Sequence, residues 1–466
     1  QAEDGIRDLV RSRGLGDVYK RQLLGLALAL ARSGWRRLAA PLGGLALGLL
    51  LCAPVILFLG GLASSGERGT GFHPSVVTAH SIHPFTFLQA LVGNLYGELP
   101  NLVNRWWGVR FFPLGFPYVV SLYLGAAALS LALVGLSDRR QPRGALLLLG
   151  ACAAWLCLGR FAGLDALVEL SPWLRVLRFP SKGYFTLHVL AALLAAAGLD
   201  RLAQAPRPWR LAAGASLGLG LPLAAAPWLP TLLPGPLGWL RDNMFPPGWG
   251  PAPRAATLAG ILSDARSGGL LALLLAGLAA LVLWRRLAPS TGAALAGAVL
   301  AADLLRTGVG LNPMVSPAFY AGSPELQAVG ARLRAEGARV YTCEPESTRD
   351  YFEARARQSE HDWWTFAAFM EAQVPYFNMG QGLPSALTID RTMLVPVERV
   401  LAPEDAACAA VPRVLERLRA AGVSHVLSVT PLVHDELRPL LAWAPARVAP
   451  LTLRLYALRA PLALRE

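Results

Sequence analysis

The chain has 466 residues, 54% of them hydrophobic and 16% charged, with 43 Lys and Arg against 30 Asp and Glu and a net charge of +13. Soluble globular chains carry about 25% charged residues, so the composition excludes an ordinary soluble protein and points to a multi-span membrane protein. Residues 1–22 hold five basic and four acidic groups, residues 23–305 hold 21 and nine, and residues 306–466 hold 17 of each. The positive excess therefore lies in the apolar part, where loop Arg residues set orientation. No nucleic-acid partner is expected.

The head, residues 1–22 (QAEDGIRDLVRSRGLGDVYKRQ), has no apolar face and no targeting pattern. It looks like translated sequencing-adapter DNA and is set aside from fold reasoning. The apolar run that follows, 23–31, is a stub: at 1.5 Å per residue it is far short of a bilayer about 30 Å thick. Further apolar runs lie near 38–63, 117–136, 145–158, 183–200, 211–233, 268–284 and 291–305. They predict an α-helical polytopic membrane domain over 23–305, with about seven complete transmembrane helices and the stub.

Four alternate connections carry the Arg clusters: Arg32, Arg36 and Arg37; Arg139, Arg140 and Arg143; Arg201, Arg207 and Arg210; Arg285 and Arg286. The opposite connections, 64–116, 159–182 and 234–267, hold ten basic residues over more than three times the length. The bias predicts that the Arg clusters are cytoplasmic and the other loops outside. The chain would then be a multi-pass protein of the bacterial inner membrane.

Residues 306–466 read as an extracytoplasmic α/β domain. Glu325–Glu336 has helical periodicity and runs through Gly337 into a short strand over 338–341. Val414–Ala421 repeats that plan, with Gly422 as the stop and a strand over 423–427, and Leu453–Leu458 alternates as a third strand. Helix–Gly–strand units imply a partly parallel sheet. Cys343 and Cys408 lie in this domain and could pair if it is outside the cytoplasm. Cys52, Cys152 and Cys157 fall in apolar runs, where Cys acts as a small hydrophobe.

The polar chemistry gathers in the outer loops. The first holds Ser65, Arg68, His80–Ser81–Ile82–His83–Pro84, Asn94, Glu98, Asn101 and Arg105–Trp106–Trp107; the second holds Arg175 and Arg178–Phe179–Pro180–Ser181–Lys182 at the mouth of a span. Forked Arg donors and a Lys suit a phosphate at the membrane surface. The bland alternative is that they are interfacial anchors reaching to headgroups. His80 and His83 are three apart, but Pro84 argues against a helix through them and no further ligand lies nearby, so no metal is expected. Glu98 is the carboxylate best placed for acid/base work or acceptor binding, with an ordinary solvated Glu as the alternative. Trp106 and Trp107 fit either an aromatic belt or sugar stacking. Asp303 and Arg306 are spaced to pair on one helix face.

The passage Pro54…Ser65…Arg68, the run Ser81–Ile82–His83–Pro84, Tyr123–Leu124–Gly125 opening a span, Arg178–Phe179–Pro180–Ser181–Lys182, and Gly198–Leu199–Asp200 recur in order. Tyr376–Phe377–Asn378–Met379–Gly380 with Gly382 and Leu418–Arg419–Ala420–Ala421–Gly422–Val423–Ser424–His425–Val426–Leu427 follow. In this order, over most of residues 40–430, the chain resembles the YfhO-like bacterial membrane proteins, within the GT-C class of polyprenyl-phosphate-sugar glycosyltransferases. The resemblance implies transfer of a sugar from a polyprenyl-phosphate carrier to a cell-envelope glycan or polymer acceptor, without metal or other cofactor. It implies a catalytic Asp or Glu in a first outer loop, expected upstream of Leu23, and leaves open whether the C-terminal end is truncated as well. Arg175, Arg178 and Lys182 become donor-phosphate candidates, His80, His83, Arg105, Trp106 and Trp107 sugar or acceptor contacts, and Glu98 the remaining acid/base candidate. Two other classes stay open: a non-catalytic scaffold that binds glycan, and a transporter or flippase-like subunit.

Overall fold

The computed structural model describes residues 39–66, 71–97, 107–112, 117–171, 174–175, 178–245, 249–309, 311, 317–343, 364–374, 377–387 and 401–459. Residues 1–22 and the run 23–31 lie outside them. Two compact units emerge, one built on Phe72–Pro313 and one on Met314–Glu466.

The first unit is helical. Helix α1 (Ala39–Ser65) is divided between the units, its part from Cys52 onward grouping with the second. The principal helices of the first are α2 (Ala126–Leu136), α3 (Arg143–Leu158), α4 (Tyr184–Gln204), α5 (Trp209–Ala224), α6 (Pro251–Leu283) and α7 (Pro289–Gly308). Among the described residues, Arg143–Ala162, Pro180–Gln204, Trp209–Leu232 and Pro251–Leu283 are long and apolar enough to cross a membrane. Helix α1 exposes Leu50, Leu51, Leu57 and Phe58 on all sides, the surface of a helix that meets lipid.

Two expected elements differ. The run 117–136 is helical only from Ala126, because Gly125 turns the backbone to φ +87° and the segment before it stays irregular. Eleven residues rise only about 16 Å, less than the hydrocarbon thickness of about 30 Å. The stretch 234–267, expected as a loop, is mostly helix: Pro234–Asn243, then α6, which begins on Pro251. Proline in the first helical turn loses no hydrogen bond, so Pro251 and Pro253 both fit the start of α6, and the helix runs on without a break through Gly260 and the glycines at 268 and 269.

Helices α2, α4, α5, α6 and α7 share one core, centred on Leu131, Leu202, Trp209, Leu275 and Ala279. Small residues permit the closest approaches. At Gly135 of α2 and Gly198 of α4 the two backbones touch, and an added Cβ on Gly198 would strike the Leu131 carbonyl. Such contacts replace the hydrophobic drive that lipid cannot supply between helices. Trp209 closes the α4–α5 connection by donating its indole N–H to the Leu202 carbonyl at 2.9 Å.

The second unit holds α8 (Pro324–Ala335), β1 (Val340–Thr342), α9 (Trp364–Glu371), α10 (Val411–Ala420), β2 (His425–Ser428), β3 (Leu437–Trp443) and β4 (Leu453–Leu458). Sheet order is β1-β2-β4-β3, with β1 and β2 parallel and the other pairs antiparallel. Gly337 and Gly422 take positive φ after α8 and α10, the left-handed exit that only glycine adopts without strain. Strand β3 has no counterpart among the expected elements. It is an edge strand carrying Pro439 beside a register shift, and a proline within a run hides a strand from pattern reading. A disulfide joins Cys343 to Cys408 with 4.8 Å between Cα atoms, inside a core with Val414, Leu418 and Val426.

Replacing Gly198 with Ala should lower thermal stability in detergent by about 1–3 kcal/mol, the usual cost of overpacking. Ala at Gly214, which has open space around its Cα, should be nearly neutral. Equal effects would contradict the close α2–α4 approach.

Candidate functional site

The outer-loop segment 71–82 is docked through main-chain hydrogen bonds. Phe72 N–H donates to the Arg175 carbonyl at 2.9 Å, Phe179 N–H to the Val77 carbonyl at 3.2 Å, and Ser181 N–H to the His80 carbonyl at 3.2 Å. On its other side, Ile82 N–H donates to the Cys157 carbonyl at 2.7 Å. Ser81 Oγ donates to the Thr78 carbonyl at 2.7 Å and accepts from Arg160 N–H at 3.0 Å. Gly159 leaves room for that hydroxyl, since a Cβ there would collide with it. The loop thus bridges the end of α3 and the turn Pro180–Gly183 that opens the Pro180–Gln204 span.

Phe179 is the centre of what this docking builds. Its φ of 63° is an uncommon value for a bulky side chain, and its N–H is held by the bond to the Val77 carbonyl. Strain of this kind collects at sites that depend on a particular geometry. The Arg178 Cζ lies 4.2 Å from the Phe179 ring centroid and Lys182 Nζ 5.3 Å from it, so the two charges are within about 10 Å of each other. Lys182 Nζ is also 5.3 Å from the Tyr118 ring. His80 packs edge-on against Phe179 at 4.5 Å and lies 5.3 Å from Tyr118.

His80 is 6% exposed. Burial, then the charges of Arg178 and Lys182, push its imidazole down to about 4, so it is neutral at physiological pH. A small pocket lies beside it, lined by His80, Ser81, Tyr118, Leu122 and Ser181 among others. Ser181 is buried, and its Oγ has no hydrogen-bond partner among the described residues. Two cations, a neutral imidazole and an unused hydroxyl therefore converge, a set suited to an anion with hydrogen-bonding oxygens.

A second polar constellation lies among the helices. Arg306 of α7 pairs with Asp264 of α6 and, at 3.3 Å, with Asp303. Tyr123 donates its hydroxyl to Asp303 at 2.7 Å, and Asp264 accepts the Asn94 N–H at 3.1 Å. Asp303 is fully buried, and its second oxygen faces Gly125, where a Cβ would collide with it. Counted along α7 and α6 from the connection between them, Asp303 is about 21 Å and Asp264 about 28 Å away. The cluster ties α6, α7, the start of α2 and the first loop together.

The candidates named from sequence separate into groups. Arg178, Lys182 and His80 come together. Arg175 contributes its carbonyl to the docking of Phe72. His83 accepts the Phe85 N–H at 3.1 Å, caps the turn Pro84–Ala90 and packs on Phe111 and Phe161, away from the His80 rings. Trp107 is 2% exposed, donates to the Leu95 carbonyl at 3.0 Å and packs on Tyr96, Phe111 and Phe245. It is a core residue here and offers no face to a sugar. Glu98, Arg105 and Trp106 lie outside the described residues. Sequence reading missed Phe179, Tyr118 and Ser181 as site residues, Tyr123 as a partner of Asp303 and Asp264 as a partner of Arg306. Asp264 had a signal in its place, the single carboxylate of a helix that is wholly apolar from Gly268 onward.

Fold and composition define a helical membrane protein carrying a small mixed α/β unit. Comparison with protein-family models, curated proteins and solved structures finds no match.

In a histidine NMR titration of the purified protein, the resonance lost in His80→Gln should titrate near 4. Lys182→Gln removes one of the two repelling cations and should move that value up. A His80 resonance titrating near the ordinary value of about 6.5 would contradict this geometry.

Proposed function

We propose that the chain is a multi-pass protein of the bacterial inner membrane that holds the phosphate of a polyprenyl-phosphate sugar at the outer leaflet. In this reading it belongs to a GT-C-class, YfhO-like glycosyltransferase that delivers the sugar to an envelope glycan or polymer. The reading takes α1, the 117–136 segment and α7 as membrane-embedded alongside the four longer spans, giving the seven expected from sequence. The bias of Arg toward alternate loops supports an outer position for the 64–116 and 159–182 loops and for the α/β unit. The Cys343–Cys408 disulfide supports the same side for that unit.

The observation that carries the reading is the gathering of Arg178 and Lys182 around Phe179 at the start of a membrane-length helix. A phosphodiester there would meet a forked guanidinium and an ammonium near the bilayer surface, where charge-assisted hydrogen bonds are strong. The prenyl chain would continue into lipid beside the span. The neutral His80 and the Ser181 hydroxyl would face the polar side of the headgroup. A transporter or flippase-like subunit is the second reading. The buried Asp264–Arg306–Asp303 cluster favours it, because ionisable groups held inside a membrane bundle commonly line ion or substrate routes.

Arg178→Gln and Lys182→Gln should each weaken binding of a short-chain prenyl phosphoglucose to the detergent-solubilised protein by about tenfold or more, as expected for loss of a charge-assisted contact of about 1.5–3 kcal/mol. Arg241→Gln, which removes an exposed pair with Asp242, should leave binding unchanged. A double Arg178/Lys182 variant that binds as tightly as the parent would rule out this site.

A further inference from the structure

We propose that His80 is the proton-accepting member of the anion site: when a phosphodiester settles against Arg178 and Lys182, His80 takes up a proton. The inference rests on the phosphate reading above and adds to it a coupled proton that nothing in the sequence motifs requires.

The geometry makes the coupling hard to avoid. His80 packs against both the Phe179 and Tyr118 rings, which touch each other at 4.6 Å and are the same two rings that carry Lys182, and Arg178 lies over Phe179. The imidazole therefore sits among cations in a poorly hydrated place. Burial, then Arg178 and Lys182, keep the proton off. A bound anion offsets the two cations and attracts the imidazolium directly, so the ring gains affinity for a proton. Among the described residues, the Tyr118 phenol and the hydroxyls of Ser81 and Ser181 line the same pocket. Ser181 Oγ has no partner among the described residues and is 4% exposed, so the pocket holds an unfilled hydrogen-bonding position next to the ring. A phosphate oxygen placed there would be reached by that hydroxyl and by a protonated His80.

The sign follows from linkage. His80 binds its proton more tightly in the complex than in the free protein, so anion affinity rises as pH falls below the value of the complex. It levels off below about 4, where the free protein is protonated as well. One coupled proton sets the limit at about tenfold per pH unit. The chemistry recognised is a singly charged phosphodiester, whether on a prenyl lipid or free in solution.

The test is calorimetric titration of the full chain in detergent micelles with a short-chain prenyl phosphoglucose, whose single charge does not change in the mildly acidic range. The titration is repeated in acetate and in a sulfonate buffer of different ionisation enthalpy, near pH 5. The difference in heat between buffers reads protons taken up. The parent protein should take up a substantial fraction of a proton per ligand, and His80→Gln and His80→Asn should bind with none. A parallel titration with diethyl phosphate tells the sources apart. Uptake with both ligands assigns the site to phosphodiesters at large, and uptake with the prenyl ligand alone assigns it to a lipid headgroup; both outcomes support the coupling. Binding without buffer dependence in the parent protein overturns the inference while leaving the phosphate reading intact, and needs no variant to fold. Equal uptake in the His80 variants overturns it too. Absence of binding by either ligand overturns the phosphate reading and the inference with it.

Discussion

Main-chain hydrogen bonds from one loop to the starts and ends of two helices are the constraint on which the site depends. A membrane-length helix cannot satisfy its first N–H groups within itself, and lipid offers no water to do so. The loop 71–82 answers that need by accepting the Phe179 and Ser181 N–H groups on its Val77 and His80 carbonyls, and it donates its own Phe72 and Ile82 N–H groups to the Arg175 and Cys157 carbonyls. The same pairing brings His80 to Phe179 and fixes the left-handed turn that presents Arg178 and Lys182 around one ring. A polar site thus arises where a backbone requirement has been met.

The buried cluster of Asp264, Asp303, Arg306 and Tyr123 plays the complementary part. Breaking a buried ion pair on one side leaves an uncompensated charge, a loss of about 3–5 kcal/mol. Its partners come from α6, α7, the residues before α2 and, through Asn94, the first loop. The register of these four segments is therefore set by charge as well as by packing. Gly125 belongs to the same arrangement, since its bare Cα is what lets the Asp303 carboxylate approach.

Much of the architecture was legible in the sequence because hydropathy and glycine stops are local signals. Three of the four membrane-length helices fall on expected runs and the fourth covers one and extends back into an expected loop, and helix–Gly–strand units appear at Gly337 and Gly422. The irregular opening of 117–136 was not legible, because the hydropathy run continues across Gly125, where the backbone turns to φ +87° and the helix begins only at Ala126. Strand β3 was hidden by Pro439. At the site, charge was readable and geometry was not. Arg178 and Lys182 stood out as cations at a span's mouth, but their convergence depends on Phe179, whose backbone angle no pattern announces. His83 and Trp107 matched the expected residue types and are used in capping and packing. Composition alone cannot separate an aromatic that faces a ligand from one that faces the core.

The most direct measurement is an experimental structure in lipid nanodiscs containing a prenyl phosphodiester. The account predicts phosphate density within hydrogen-bond distance of both Arg178 and Lys182, beside Phe179, with the prenyl chain running along the Pro180–Gln204 span. Phosphate density at another place on the protein, with Arg178 and Lys182 turned to ordinary headgroups, would contradict it.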